Sequence, residues 1–132
     1  MLLDTSGLLC FLSKNEPDHA TAVQIMNDPS TLLLTHNYVL AELIALAIVR
    51  GFDHLMVTDY TLRLVDEVGV EVVWVDEVLH RAASDLILAR PDKTYSLCDA
   101  VSFVLMRQRG VEAALTTDRH FEQEGFRRLL KA

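Results

Sequence analysis

The sequence predicts an α/β fold in which a parallel sheet carries helices on both faces. Short apolar runs alternate with longer helical segments along the whole chain, which is the element order of parallel strands joined by crossover helices. Several of the strand segments end at an acidic residue that lies next to a helix start. The residues are 51% hydrophobic and 23% charged, which is the composition of a compact globular protein.

Local signals at the boundaries define the individual elements. Ser6 caps the first helix, Asp53 caps the fourth, and Gly51 and Gly110 end two of the longer helices. Asp28-Pro29-Ser30 breaks the second helix. In the first half of the chain, the predicted elements are a strand at 1–3, helices at 8–13 and 18–26, a strand at 31–35, and helices at 37–50 and 54–68. In the second half, they are a strand at 70–75, helices at 76–89 and 97–109, a strand that ends at 118, a helical turn at 120–124, and a final short strand or tail near 126–129.

The helix over 37–50 is almost entirely apolar and contains one acidic residue, Glu42. Its neighbours three and four positions away are all uncharged, so no face of the helix offers it a polar stripe. An isolated buried carboxylate costs several kcal/mol or becomes neutral. We therefore expect Glu42 to have a partner or a metal ion.

Other acidic residues recur at strand ends and helix starts. Asp4, Asp76 and Asp118 each follow a predicted strand, where an aspartate is most often a helix cap. Asp99 completes a Ser96-x-x-Asp99 capping box. Strand ends and helix starts meet at the edge of a parallel sheet where ligands bind. Together these positions indicate a carboxylate cluster, although the pattern alone does not place Glu42 in it.

A carboxylate cluster has a specific chemistry. Oxygen ligands select hard cations such as Mg²⁺ or Mn²⁺ over zinc. Two such cations roughly 4 Å apart activate water and stabilise the attacking and leaving oxygens of phosphodiester cleavage. The net charge of −7 disfavours a nucleic-acid partner bound mainly through basic residues. Cations held by the cluster would offset much of that negative charge.

Other chemistries lack support. The sequence contains no GxxxxGK[ST], GxGxxG or GxSxG motif, and its five histidines show no metal-ligand spacing. Cys10 and Cys98 are interpreted as small core residues, and Trp74 as a core residue rather than a base-stacking platform. His120 is interpreted as an exposed loop residue and His36 as a helix-entry residue.

The length and composition also predict the setting of the protein. A chain of 132 residues corresponds to one domain, so we expect 1–132 to form a single domain. No apolar run approaches the roughly 20 residues of a membrane span, and Asp4 interrupts the apolar start that a signal peptide needs. The two isolated cysteines favour a reduced, cytoplasmic location.

The ordered set of motifs resembles the PIN-domain ribonucleases, and particularly the single-domain VapC-like toxins of type II toxin–antitoxin pairs. The resemblance covers the whole chain and includes the spacing of the four acids. The motifs that carry it are Leu2-Leu3-Asp4-Thr5-Ser6, Ala41-Glu42-Leu43, Ser96-Leu97-Cys98-Asp99-Ala100 and Thr116-Thr117-Asp118-Arg119-His120-Phe121.

The resemblance implies a PIN-like three-layer α/β/α fold with about five parallel strands, and a Mg²⁺- or Mn²⁺-dependent endoribonuclease. It implies that Asp4 and Asp99 hold the metal most directly. Glu42 and Asp118 would complete the shell, directly or through water, and help to position the nucleophilic water. Asp76 matches no acid of the family and remains a helix cap.

The resemblance also implies supporting residues and partners. Ser6 and Thr116 match small polar positions that orient the carboxylates. RNA is the implied substrate, a cognate antitoxin is the implied protein partner, and a homodimer is the implied assembly. The hydrophobic helices at 18–68 are similar to those that make such contacts.

Two other interpretations remain open on sequence alone. The first is a non-catalytic PIN-like module that binds metal, RNA or a partner without cleaving, and the intact set of four acids disfavours it. The second is a receiver-like α/β domain with an acidic pocket. The sequence lacks the paired acids after the first strand and the late lysine that such domains carry, so this interpretation ranks lowest.

Overall fold

A five-stranded parallel sheet forms the centre of the protein, as predicted. The computed structural model describes residues 1–131. The strands, in chain order, are β1 (Leu2–Leu3), β2 (Leu33–His36), β3 (Val70–Val73), β4 (Ala113–Leu115) and β5 (Arg127–Arg128). Their order across the sheet is β3-β2-β1-β4-β5, and the neighbouring strands are parallel. β1 and β4 therefore lie side by side, although they come from opposite ends of the chain.

Helices cover both faces of this sheet, which confirms the predicted three-layer α/β/α arrangement. The helices are α1 (Thr5–Leu12), α2 (His19–Met26), α3 (Asn37–Val49), α4 (His54–Asp66), α5 (Glu77–Leu88), α6 (Leu97–Arg109) and α7 (His120–Gln123). α1 to α4 bury their apolar residues in one core, and α5, α7 and most of α6 bury theirs in the other. Within residues 1–131, no helix combines the length and the apolar character that crossing a membrane requires.

The two residues of β1 show how the sheet separates the two cores. Leu2 and Leu3 are both completely buried. Leu3 belongs to the cluster that contains Leu8 and Leu43, whereas Leu2 belongs to the cluster that contains Phe103. Successive strand residues point to opposite faces, so a strand that is covered on both faces reads as a continuous apolar run. This is why β1 consists of two consecutive leucines, and why the first polar residue, Asp4, comes where the strand has ended.

Most of the predicted helix boundaries agree with the structure. Asp53, Asp76 and Ser96 each accept a hydrogen bond from a backbone N–H three residues later, as helix caps do. Gly110 ends α6 with a φ of 66°, in the left-handed region that glycine adopts without a steric penalty.

Three local predictions are wrong. Ser6 does not cap a helix, because α1 begins at Thr5 and the backbone carbonyl of Asp4 accepts from Leu8 N at 3.0 Å. β4 ends at Leu115 rather than near Asp118. The backbone N–H groups of Thr117 and Asp118 donate to the side chains of Ser6 and Thr116 instead of to a neighbouring strand. Trp74 is 63% exposed, since it follows β3 at the edge of the sheet.

Candidate active site

The four predicted acids line one cleft at the edge where strands end and helices begin. Asp4 directly follows β1, Asp118 lies three residues beyond β4, and Asp99 is in the first turn of α6. Glu42 reaches the same cleft from α3. The cleft lies at the end of β1, which has β2 as its neighbour on one side and β4 on the other. The connections that follow β1 and β4 run to opposite sides of the sheet, and this opens a crevice between the two loops.

Asp4 is the most deeply buried of these acids, with 4% of its surface exposed. Thr116 Oγ1 donates to Asp4 Oδ2 at 2.7 Å, and Ser6 Oγ lies 3.3 Å from the same oxygen. Burial raises the pKa of Asp4 to about 7, and the charges of Asp99 and Asp118 add to the shift, while the Thr116 hydrogen bond opposes it. Without a cation, the carboxyl group is therefore only partly ionised at neutral pH.

Ser6 and Thr116 hold this part of the cleft together. Ser6 Oγ accepts from the backbone N–H of Thr117 at 3.0 Å, and Thr116 Oγ1 accepts from the backbone N–H of Asp118 at 3.0 Å. The two hydroxyl oxygens lie 3.1 Å apart. The contact requires α1 to approach β4 closely, and a Cβ on Gly7 would lie only 1.9 Å from the Leu115 carbonyl oxygen. Gly7 is a residue of the site that sequence reasoning missed.

Asp99 is a helix-capping residue and also a residue of the cleft lining. It completes a capping box with Ser96: Ser96 N donates to Asp99 Oδ2 at 3.1 Å, and Asp99 N donates to Ser96 Oγ at 3.0 Å. The residue also lines the cleft and is 7% exposed. Burial raises its pKa, as does the charge of Asp118, while the bonds from Ser96 act in the opposite direction. The cap fixes the carboxylate without neutralising it.

Asp118 and His120 form a pair beside Asp99. Asp118 Oδ1 accepts from the backbone N–H of His120 at 2.9 Å. His120 Nδ1 lies 3.2 Å from that oxygen and 3.4 Å from Asp99 Oδ2. Asp99, Asp118 and His120 each offer one ligand atom, and these three atoms lie within 4.8 Å of one another. The interpretation of His120 as an exposed loop residue is therefore wrong. The Asp-x-His spacing after a strand was the signal that could have revealed it.

Glu42 lines the cleft, but the reason given for it from the sequence is wrong. Its side chain is exposed rather than buried, so the burial penalty that demanded a partner does not arise. The residues around it are apolar for another reason. α3 leaves several apolar residues open to solvent, among them Ala45 and Val49. An apolar sequence in this helix therefore did not imply a fully buried helix.

Comparison with known proteins identifies the family of this chain. The chain matches the PIN domain family over residues 1–126. It belongs to the PIN domain family. Among its relatives is the "23S rRNA-specific endonuclease VapC20" of Mycobacterium tuberculosis, in strains CDC 1551 / Oshkosh and H37Rv. That relative is 29% identical over 126 residues, which cover 96% of this chain and 95% of the relative.

Two further comparisons agree with this PIN domain assignment. "Ribonuclease VapC26" of Mycobacterium tuberculosis H37Rv is 29% identical over 123 residues, which cover 92% of this chain and 89% of the relative. The crystal structure of Mycobacterium tuberculosis VapC20, a "Sarcin-Ricin loop cleaving toxin", superposes with a TM-score of 0.85. It is 26% identical, and the match covers 95% of each chain.

The cleft of this PIN domain protein has the donor set that a hard divalent cation requires. No lysine or arginine in residues 1–131 forms an ion pair with Asp4, Asp99 or Asp118. The lining also includes Glu16 and Asp18, which sequence reasoning did not single out. Arg50 is the basic residue of the lining, and it lies 2.7 Å from Glu16. Buried carboxylates without a protein cation fit a bound metal ion.

Proposed function

We propose that this PIN domain protein is a metal-dependent endoribonuclease and the toxin of a type II toxin–antitoxin pair. The observation that carries the proposal is the cleft that Asp4, Glu42, Asp99 and Asp118 line. None of these four acids forms an ion pair with a lysine or arginine of residues 1–131. The reaction is hydrolysis. Water adds to the phosphorus of an RNA phosphodiester, one P–O bond breaks, and a phosphate monoester and a hydroxyl group remain.

The carboxylates are assigned to the metal site. Asp4, Asp99 and Asp118 would hold Mg²⁺ or Mn²⁺, and Glu42 would complete the shell from the open side of the cleft. A bound divalent cation supplies Lewis-acid stabilisation of the phosphoryl oxygens and a more acidic water molecule. Support for this assignment comes from the raised pKa values of Asp4 and Asp99, since both carboxylates are more stable when a cation offsets their charge.

The remaining residues of the site act by positioning. Thr116 donates to Asp4 and accepts from the Asp118 backbone, so one hydroxyl group sets the relative position of two carboxylates. Ser6 links α1 to the segment after β4 through Thr117. These bonds hold the acids together before a cation arrives, so binding requires little reorganisation.

RNA is a polyanion, so an acidic cleft must overcome repulsion. The bound cation would neutralise negative charge at the reacting phosphate, and basic residues outside the cleft would bind the neighbouring phosphates. Arg119 follows Asp118 directly in the chain and is exposed. It takes part in no ion pair within residues 1–131. We assign it to such a phosphate contact.

Ribosomal RNA is the first substrate to test. The VapC20 relative is named for cleavage of 23S rRNA, and its crystal structure is described as that of a toxin that cleaves the sarcin–ricin loop. Transfer RNA and messenger RNA serve as comparison substrates, since the acids of the cleft are assigned to the phosphodiester, which all RNAs share.

An antitoxin and a second copy of the chain are the proposed protein partners. α3 and α4 expose large apolar side chains, including Ile48, Val49, Leu55 and Leu62. Clusters of exposed apolar side chains are typical of protein–protein interfaces, and we assign these two helices to such contacts. The two helices lie in the hydrophobic region that the sequence resemblance associates with such contacts.

The test is an RNA cleavage assay with controlled metal content. Purified protein is incubated with 23S rRNA and with transfer RNA in Mg²⁺, in Mn²⁺ and in EDTA. We expect cleavage with either cation, loss of cleavage in EDTA, and recovery when excess cation is restored. Cleavage that persists in EDTA would overturn the metal mechanism. Cation binding without cleavage of any RNA would favour a non-catalytic binding module.

A stability measurement locates the cation. A cation at 100 times its dissociation constant stabilises the folded protein by about 2.7 kcal/mol. We therefore expect the cation to raise the melting temperature of the unmodified protein and to leave the melting temperature of Asp99→Asn unchanged. The matched control is Asp76→Asn, because Asp76 is also a capping aspartate but lies at the start of α5, beside the edge strand. An equal rise in both variants would place the cation outside the cleft.

A further inference from the structure

A ring nitrogen of His120 lies beside two acids of the cleft lining, Asp99 and Asp118, without a hydrogen-bond partner in the described part of the chain. Its Nδ1 atom is buried and makes no hydrogen bond within the described part of the chain. The same atom lies 3.2 Å from Asp118 Oδ1 and 3.4 Å from Asp99 Oδ2. Buried polar atoms are almost always satisfied, so an unsatisfied nitrogen between two carboxylates calls for a physical reason.

The rest of the His120 side chain is held in place. Its Nε2 atom lies 3.2 Å from Thr94 Oγ1, within hydrogen-bond distance. The Tyr95 ring packs edge-on against the imidazole, with the centroids 5.4 Å apart. A neutral imidazole carries one ring hydrogen. If Nε2 carries it and donates to Thr94, Nδ1 offers its lone pair towards the two carboxylates. A second polar contact that fixes the tautomer in this way is typical of metal-binding histidines.

The spacing of the three donor atoms agrees with a shared cation. Two ligands about 2.1 Å from one metal ion and at right angles to each other lie about 3 Å apart. The distances of 3.2 and 3.4 Å from His120 Nδ1 to the two carboxylate oxygens are close to that separation. The hydrogen bond from the backbone N–H of His120 to Asp118 Oδ1 fixes the position of the Asp118 carboxylate relative to His120.

We propose that His120 is a metal ligand through Nδ1 and that it makes the site selective for Mn²⁺ over Mg²⁺. The proposal rests on the metal site of the proposed function and adds a nitrogen donor to its oxygen donors. Mg²⁺ strongly prefers oxygen ligands, whereas Mn²⁺ and the later divalent ions of the first transition row accept imidazole more readily. The sequence reasoning predicted an all-oxygen site for Mg²⁺ or Mn²⁺.

The first experiment observes the donor atom directly. Mn²⁺ is added to the metal-free protein, and the electron spin-echo envelope is recorded for modulation by a coordinated imidazole nitrogen. We expect nitrogen modulation in the unmodified protein and its loss in His120→Asn, whose amide oxygen replaces Nδ1 with an oxygen donor. The matched control is His54→Asn, since His54 is exposed at the start of α4. We expect the modulation to remain in that variant.

The second experiment measures selectivity by calorimetric titration with MnCl₂ and with MgCl₂. In His120→Asn we expect the preference for Mn²⁺, expressed as a ratio of dissociation constants, to fall on the order of tenfold. We expect Mg²⁺ to bind the variant about as well as the unmodified protein. Circular dichroism verifies that the variant is folded.

The outcomes separate this proposal from the proposed function. Mn²⁺ binding that is lost in Asp99→Asn but shows no nitrogen modulation would overturn the role of His120 as a ligand. It would leave the metal-dependent nuclease standing, and His120 would then be a charge partner of the two aspartates. Failure of Mn²⁺ to bind at all would overturn the His120 proposal together with the metal site. Absence of EDTA-sensitive cleavage, with nitrogen modulation present, would overturn only the nuclease function.

Discussion

Two sites in this protein bury acidic side chains, and they differ in which cation is available to neutralise the carboxylates. The first is the cleft with Asp4, Asp99 and Asp118. The second surrounds Glu124, whose side chain is 3% exposed. Arg107 Nη2 lies 2.6 Å and Arg90 Nε 3.1 Å from the Glu124 carboxylate oxygens. Two arginines pair with the carboxylate at the second site, whereas no lysine or arginine of residues 1–131 pairs with the three aspartates of the first.

The pKa shifts follow from this difference. At Glu124, burial opposes ionisation, but hydrogen bonds from Arg107, Arg90 and Tyr95 outweigh it and lower the pKa. At Asp4, burial dominates and raises the pKa to about 7. Two like-charged carboxylates that share a cleft without a protein cation are costly unless another positive charge is bound. The chain thus neutralises the buried carboxylate of Glu124 with two arginines, but it places no such arginine pair beside the aspartates of the cleft in residues 1–131. A separate cation is the natural partner there.

The largest expected effect is on catalysis. Asp4→Asn should reduce RNA cleavage on the order of 1,000-fold, because it removes a charge that holds the cation. The same change should stabilise the metal-free protein at pH 8 by about 2 kcal/mol, because burial penalises the charged form. Cleavage assays and urea denaturation measure the two effects. Asp76→Asn is the control and should change neither, since asparagine also caps helices. Loss of both activity and stability in Asp4→Asn would contradict the comparison.

The next effect is on stability at the second site. Glu124→Gln should destabilise the protein by about 2 kcal/mol, because it leaves two partly exposed arginines without their carboxylate. The rise in melting temperature on adding Mn²⁺ should persist in this variant. Urea denaturation with and without cation measures both. Glu77→Gln is the control: both members of its pair with Arg81 are exposed, so the change should be below about 0.5 kcal/mol. Equal effects of the two variants would remove the distinction between the sites.

The two sites should also respond to pH in opposite directions in the metal-free protein. The folded-state pKa of Asp4 is raised from 3.8 to about 7, so the folded state binds the extra proton and its contribution to stability falls as pH rises between these values. The folded-state pKa of Glu124 is lowered, so its contribution to stability is present above the ordinary pKa of 4.5 and is lost as pH falls through the lower folded-state value.

Urea denaturation across pH 2 to 8 would separate the two contributions, because the Glu124 contribution is lost only below its ordinary pKa of 4.5. Asp4→Asn should flatten the decline in stability towards pH 7, and Glu124→Gln should remove part of the acid-induced loss. Adding Mn²⁺ should suppress the Asp4 contribution but not the Glu124 contribution, because the cation favours the charged carboxylate in the cleft. An unchanged pH profile in Asp4→Asn would show that its carboxyl group titrates normally.

The smallest expected effect concerns Glu42. Because its side chain is exposed, Glu42→Gln should change the free energy of unfolding by less than about 0.5 kcal/mol. RNA cleavage should nevertheless fall on the order of tenfold, because the amide lacks the charge that completes the shell. Glu67→Gln, at another exposed acidic position, is the control and should affect neither. Full activity in Glu42→Gln would exclude Glu42 from the site.

Much of the fold could be read from local patterns in the chain. Consecutive apolar residues such as Leu2 and Leu3 predicted strands covered on both faces, and the caps at Asp53 and Asp76 placed helix starts correctly. These signals depend on neighbours within a few residues, because capping and side-chain alternation are short-range effects. Exposure was less predictable: Trp74 and Glu42 both lie in apolar surroundings in sequence and both face solvent.

By itself, the sequence determined which residues offer carboxylates and on which kinds of element they lie. It could not distinguish Asp76 from Asp118, because both follow a strand, and only the resemblance to a known family separated them. The tertiary structure decided the matter through strand order. β1 and β4 pair with each other, which brings Asp4 and Asp118 together, while β3 lies at the edge and keeps Asp76 apart. Strand order is set by long-range packing of helices on the sheet, as is the contact of His120 Nδ1 with two aspartates.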